Sequence, residues 1–280
     1  MKFVITGGSG FIGRAIAKRL RASGHTVTAV SLRTPPSPQV FAGCEAVIHL
    51  AGEPVAQRWT AAAKERIVNS RVQGTRTLVA ALRQQPPAAL ISASAIGYYG
   101  SRGDEILTEE SPPGSDFLGQ VAVAWEQEAR AAEAFGVRVV TPRIGVVLGR
   151  GGGALPKMAL PFRFGVGGRL GDGRQWTSWI HLDDLIALVE FSIATTAVRG
   201  AVNAVAPNPV TNAAFTRELA KVLHRPAIFP VPAVALKLLL GEMSQVVLAS
   251  QRVIPQAVLR AGFQFRFTEV SAALRQIFTA

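Results

Sequence analysis

The sequence predicts an α/β protein built on a doubly wound parallel sheet, and three observations carry that expectation. Apolar, β-branched runs alternate with helical patterns through most of the chain. A strand, a turn with glycines at 7, 10 and 13, and an apolar-periodic helix follow one another in KFVITGGSGFIG, residues 2–13. After Gly149 the texture changes to glycine-rich loops and short helices among prolines.

Taken in order, the first helix runs from about Phe11 to Ser23 and stops at Gly24, a residue suited to the position just past a helix. A second strand covers His25–Ser31, a proline-rich stretch covers Thr34–Pro38, and a third strand covers Ala46–Leu50. The gap between these strands is too short for a helix plus a full strand, so one βα unit is abbreviated. A long helix covers about Thr60–Arg83 and ends before Pro86-Pro87. A strand at Leu90–Ser94, a helix at Val121–Phe135 and a strand at Arg138–Arg143 follow. Ser178–His181 leads into a helix at Asp183 or Asp184, and Ala201–Val205 reads as a further strand. Helices are expected at Asn212–Leu223, Ala233–Leu240 and Glu269–Phe278. The resulting division is a nucleotide-binding unit at 1–150, completed by about 176–206, and a small, mostly helical unit at 207–280. The excursion 151–175 joins them. The small unit caps the C-terminal strand ends, where open α/β sheets bind ligands.

The first glycines carry the chemistry. Gly7 lets the chain turn as it leaves the strand, Gly10 allows close approach of a pyrophosphate, and Gly13 lets the helix lie tight on the sheet. The N–H groups and positive dipole end of that helix then face the phosphates. Gly7, Gly10, Phe11, Ile12 and Gly13 are the candidate residues of a dinucleotide site.

Bulk properties narrow the class. The 280 residues suffice for a buried core, and no apolar run reaches the ~18 residues of a membrane span. A strand starting at Lys2 leaves no room for a signal peptide, and the single Cys44 excludes an internal disulfide and a cysteine zinc cage. A cytoplasmic, membrane-free protein, monomer or homodimer, is the expectation. The net charge of +12 comes from 30 Lys and Arg scattered without a basic tail. That distribution speaks against nucleic acid and suits a phosphorylated cofactor or anionic substrate.

TGGSGFIG at 6–13, VIHLAG at 47–52, SASAIGYYG at 92–100, PRIGVVLG at 142–149 and GDGRQWTSWIHLDDL at 171–185 together resemble the extended short-chain dehydrogenase/reductase superfamily. The likeness is to its NAD-dependent epimerase/dehydratase branch. SR at 70–71, WE at 125–126, LPFRFGVGG at 160–168 and GEM…QRVIPQAVLRAGFQF at 241–265 resemble an atypical subgroup. Its members are called epimerase-family or uncharacterised oxidoreductase proteins and have their own C-terminal domain. The resemblance spans essentially the whole chain and implies a Rossmann-type domain for NAD(P) with a small C-terminal substrate domain.

Strand two ends in Ser31-Leu32-Arg33, and no Asp or Glu lies between Met1 and Phe41. An acidic residue there would hold both ribose hydroxyls, whereas the Arg33 guanidinium can grip a 2′-phosphate, which selects NADP(H). Leu50, Ala51 and Gly52 are expected beside the adenosine and ribose, with Glu53, Arg66 and Arg71 near the same edge. Arg71 occupies the position of the superfamily's Asn in N-V-x-G-T and either faces the cofactor or is an exposed helix arginine. Arg143 to Val147 is expected to run beside the nicotinamide, with Arg143 alternatively a structural cation.

The superfamily's reaction uses a Tyr general acid/base, a Lys four residues later and a substrate-orienting Ser or Thr. Ser94 matches the Ser. Asp116 to Ala122, where the pair belongs, contains neither Tyr nor Lys. Tyr98 and Tyr99 are the only tyrosines and, with Asp116, the nearest substitutes, although a tyrosine in that loop mostly shapes the substrate pocket in the family. Gln175 is followed by Trp176 and Thr177 instead of the arginine that grips a sugar nucleotide, although Arg163, Arg169 or Arg174 can compensate. Trp176, Trp179, Phe162 and Phe164 suggest either an aromatic-lined pocket or ordinary packing. His181, Asp183 and Asp184 read as strand-end and capping residues, and no His/carboxylate spacing suggests a metal. The leading expectation is an NADP(H)-binding oxidoreductase or epimerase-like protein acting on a small carbonyl or alcohol. The alternative is a catalytically silent NADP(H) sensor or scaffold.

Overall fold

The computed structural model describes residues 1–279. Its first half contains β1 (Lys2–Thr6), α1 (Phe11–Ala22), β2 (Thr26–Val30), β3 (Ala46–His49), α2 (Ala61–Leu82), β4 (Ala89–Ser92), β5 (Ser94–Ala95), β6 (Ile106–Leu107), α3 (Phe117–Arg130) and β7 (Arg138–Ile144). There follow β8 (Val146–Leu148), α4 (Leu155–Arg163), β9 (Trp176–Thr177), β10 (Trp179–His181), α5 (Leu182–Ala194), β11 (Gly200–Ala204), β12 (Val210–Thr211) and α6 (Asn212–Leu223). The chain continues through α7 (Ala233–Leu240), α8 (Ser244–Leu248), β13 (Arg252–Val253), α9 (Gln256–Arg260) and α10 (Val270–Thr279).

The central sheet has the order β11-β7-β4-β3-β1-β2, with β5 added beside β7, and every pairing is parallel. The central strands β1, β3 and β4 are covered on both faces and are mostly apolar, with polar residues at their C-terminal ends (Thr6, His49 and Ser92). Phe3, Ile5, Ile48 and Ile91 point to the layer of α1 and α5, where Ile16, Leu20, Leu185 and Val189 pack. Val4, Val47 and Leu90 point the other way, against Leu78 and Leu82 of α2 and Ala129 of α3. The alternation follows from the two-residue period of a strand. The connection from β2 to β3 holds only a short 3₁₀ turn, Pro38–Phe41, so the abbreviated unit is present as expected. The strand order reverses between β2-β1 and β3, which opens a crevice beyond Thr6 and His49.

The expected boundaries shift in three places. The strand expected at 90–94 breaks at Ala93, and Ser94–Ala95 pairs separately with Arg143 and Ile144. Helix α3 starts at Phe117 instead of Val121 because the Asp116 carboxylate accepts from the Gly119 N–H at 2.8 Å; its last turn tightens to 3₁₀ geometry over Ala131–Phe135. The 151–175 excursion contains a helix, α4, with Pro156 in its first turn and Pro161 inside.

His49 ends β3 fully buried, with Thr6 Oγ1 2.6 Å from Nδ1 and Thr75 Oγ1 2.9 Å from Nε2. Burial pushes its pKa down to about 4, and the Arg71 charge adds to the effect. An unfolded imidazole titrates near ~6.5, so between these values the unfolded chain binds one more proton than the fold. The His49 contribution is therefore complete above pH ~6.5 and is lost as pH falls toward about 4, by of order 3 kcal/mol. Urea denaturation across that window is expected to show the decline, and His49→Gln to flatten it. An unchanged slope in the variant would contradict this.

Candidate functional site

Two concavities lie on either side of the contact between Gly52 and Arg71. The first is a groove of about 800 Å³ beside the ends of β1, β2 and β3. Gly7, at φ +72°, turns the chain under it, where a Cβ would fall 2.6 Å from the Leu50 carbonyl carbon. A Cβ on Gly13 would run into the Gly7 carbonyl oxygen. Gly10 caps α1 without a side-chain hydrogen bond, and no acidic residue stands in the first turn, so the helix offers free N–H groups and an uncompensated positive end. Leu32, Arg33, Ala51, Gly52 and Glu53 line the same groove, and Arg33 is exposed there. These residues fit a dinucleotide with an extra phosphate on its ribose.

Other expected contacts lie elsewhere. The Phe11 ring is held in a glycine cradle: a Cβ on Gly149 would fall 2.8 Å from it, and Gly152 and Gly153 close the other sides. Phe11 thus anchors the glycine-rich excursion, while its helix turn faces the groove. Ile12, Leu50 and Val147 pack against the core. Arg66 lies outside the groove walls, pairing with Glu53 at 3.5 Å on the exposed side.

The second concavity, about 260 Å³, is mostly apolar. Trp59, Phe117, Leu118, Trp125 and Val246 wall it, and Arg71 sits in the same wall. Arg71 stands between the two concavities: Nη1 donates to the carbonyl of groove-lining Glu53 at 3.0 Å, as its expected place near that edge requires, while the guanidinium lies 5.1 Å from the centre of the Trp125 ring in the cavity wall. Leu118 and Ala122 of α3 also line the cavity, so the positions that would present a Tyr and a Lys present hydrocarbon.

Behind the cavity lies a buried polar network. Arg143 makes a forked pair with Glu126, at 2.8 and 2.9 Å, and both side chains are at most 10% exposed. Ser94 Oγ donates to the same carboxylate at 2.6 Å, and Tyr99 OH donates to Asn203 Oδ1 at 2.6 Å. The Tyr98 ring stacks 3.4 Å from the Arg143 guanidinium carbon. Three expectations change here. Tyr99 has no exposed surface and burial pushes its pKa up to about 12, so it is not placed to shuttle protons. Ser94 spends its proton on Glu126 and cannot simultaneously donate it to a substrate oxygen. Arg143 turns its fork to Glu126, donates from Nη1 to Tyr99 OH at 3.0 Å and lies over the Tyr98 ring, contacts that fit the structural-cation alternative.

The aromatic residues singled out on the substrate side do not line the cavity. Trp179 and Phe162 are buried in the core under α6 and α10, Phe164 is exposed, and Trp176 donates to Asp104 at 2.7 Å beneath Arg252. His181 Nδ1 caps α5, and among the described residues no group of His, Cys, Asp and Glu is arranged to hold a metal. No described helix is long and apolar enough to cross a membrane.

Residues 3–204 match the NAD dependent epimerase/dehydratase family, and residues 231–277 match a domain of unknown function, DUF1731. The chain belongs to the NAD dependent epimerase/dehydratase family. Among family members, the epimerase family protein SDR39U1 homolog, chloroplastic, of Arabidopsis thaliana is 39% identical, over 99% of this chain and 86% of the relative. Epimerase family protein YfhF of Bacillus subtilis is 37% identical, over 99% and 98%. The crystal structure of human epimerase family protein SDR39U1 (isoform 2) with NADPH superposes with a TM-score of 0.91 at 35% identity, covering 100% of this chain and 99% of that one. In this family member the parallel sheet is therefore of the Rossmann kind, followed by a helical C-terminal region.

Proposed function

We propose that this epimerase-family protein binds NADP(H) in the groove and uses it to oxidise or reduce a small apolar alcohol or carbonyl compound in the adjoining cavity. The observation that carries the cofactor choice is Arg33 in the groove wall, on a segment without an acidic residue before Glu45. The human relative's structure with NADPH supports the same reading. Bound there, the cofactor supplies or accepts hydride. The glycine turn and α1 hold its phosphates, while the apolar walls at Trp59, Phe117 and Leu118 exclude water from the reacting carbon. The unit at 1–150, completed by 176–206, carries the cofactor, and 207–280 helps enclose the substrate through α8.

A second reading, a silent NADP(H)-binding protein, draws on Leu118 and Ala122 and on the committed protons of Ser94 and Tyr99. NADPH consumption against a panel of apolar aldehydes and ketones separates the two: turnover supports the enzyme, and tight NADPH binding without turnover supports the silent protein. The double variant Leu118→Tyr, Ala122→Lys is expected to bind NADPH and gain weak reductase activity toward simple carbonyls, since general acid/base assistance is worth roughly 10²–10⁴ in rate. A folded, NADPH-binding double variant that reduces none of the panel would favour the silent protein.

A further inference from the structure

Arg71 is an incompletely used cation. Three acceptors crowd one nitrogen: Nη1 donates to the carbonyls of Glu53 at 3.0 Å and Ile67 at 3.3 Å, with Ser70 Oγ at 3.5 Å. Among the described residues Nε and Nη2 donate to nothing, and the guanidinium forms no salt bridge. Glu53, the acid nearest by charge, is drawn off toward Arg66 at 3.5 Å. Burial depresses the Arg71 pKa to about 10. Among the described residues it is also the only cation in the cavity wall.

A purely structural strut would satisfy its remaining donors or point them into bulk water. Here they sit between Gly52, whose Cβ would lie 3.4 Å from the guanidinium carbon, and the Trp125 face, at the edge of an apolar cavity. Asp116, the acid in that wall, is engaged in capping α3. A guanidinium presents two parallel N–H groups that match a carboxylate, and partial burial strengthens the pairing.

We propose that the cavity recognises a small apolar carboxylate, its acid group held by Arg71 Nε and Nη2 and its hydrocarbon or aryl body against Trp59, Phe117 and Val246. This rests on the reading of the cavity as the substrate site and names the substrate class. A mostly apolar lining with one cation whose Nε and Nη2 are unengaged, and a volume of about 260 Å³, fits a monoanion of this size better than a sugar nucleotide.

The test is titration of the full chain, with and without NADPH, using phenylacetate and hexanoate against their neutral amides, followed through the fluorescence of Trp59 and Trp125. The carboxylates are expected to bind at least about tenfold tighter than the amides. Arg71→Met is expected to erase that preference, Arg71→Lys to keep most of it, and the NADPH affinity of both variants to stay within about threefold of the parent. Equal binding of acids and amides, no binding of the acids, or an unaltered preference in Arg71→Met would overturn the proposal. So would a parallel loss of NADPH and carboxylate binding, which would make Arg71 a cofactor ligand. If the parent chain binds no NADPH, the groove reading fails by itself, while the titration without NADPH still decides the cavity.

Discussion

Arg33→Ala is expected to weaken NADPH binding by roughly ten- to a hundredfold and to leave NADH binding nearly unchanged. The 2′-phosphate is the only difference between the two cofactors, and Arg33 is the exposed cation at the end of β2 in the groove wall. A charge-assisted contact is worth ~1.5–3 kcal/mol, which corresponds to that range of affinity. The remaining cofactor contacts, the glycine turn and the α1 N-terminus, serve both dinucleotides alike. Calorimetry on the variant reads both numbers; an equal loss for NADPH and NADH would place Arg33 at a shared part of the cofactor.

The largest stability effect is expected at Glu126. Among the described residues its carboxylate is the sole acidic partner of Arg143, whose side chain is 4% exposed, and it also accepts a hydrogen bond from Ser94 Oγ. Glu126→Ala leaves a buried cation uncompensated, at a cost of about 3–5 kcal/mol, a large share of the ~5–15 kcal/mol typical of a folded domain. Replacing both partners, Glu126→Leu with Arg143→Met, is expected to cost less than the sum of the single changes, because no charge is then stranded. Urea denaturation gives these differences; a loss below about 1 kcal/mol for Glu126→Ala would show that water or another group reaches Arg143.

The parallel sheet was legible in the sequence because its central strands are mostly apolar runs whose alternate residues serve two buried faces, as Phe3, Val4 and Ile5 do. The groove was legible for a related reason: Gly7, Gly10, Gly13 and Arg33 lie on one short βαβ stretch, where local spacing fixes geometry. Helix α4 was hidden because Pro156, Pro161 and the flanking glycines mimic a loop. The start of α3 was hidden because Gly119 in its first turn masks the Asp116 cap. The cavity and its buried network were not readable. Trp59, Arg71, Trp125 and Val246 come from separate segments, and Ser94, Glu126, Arg143 and Asn203 meet only when β5, α3, β7 and β11 pack. Residue type had marked Ser94 and Tyr99 as reactive, but their partners use up those hydroxyls.

The central claim is that the groove is an NADP(H) site. Calorimetric titration of the unmutated chain with NADPH and with NADH, side by side, tests it most directly. One molar equivalent of NADPH, bound at least about tenfold more tightly than NADH, is the predicted result. Equal affinity for the two, or no heat from either, would contradict it.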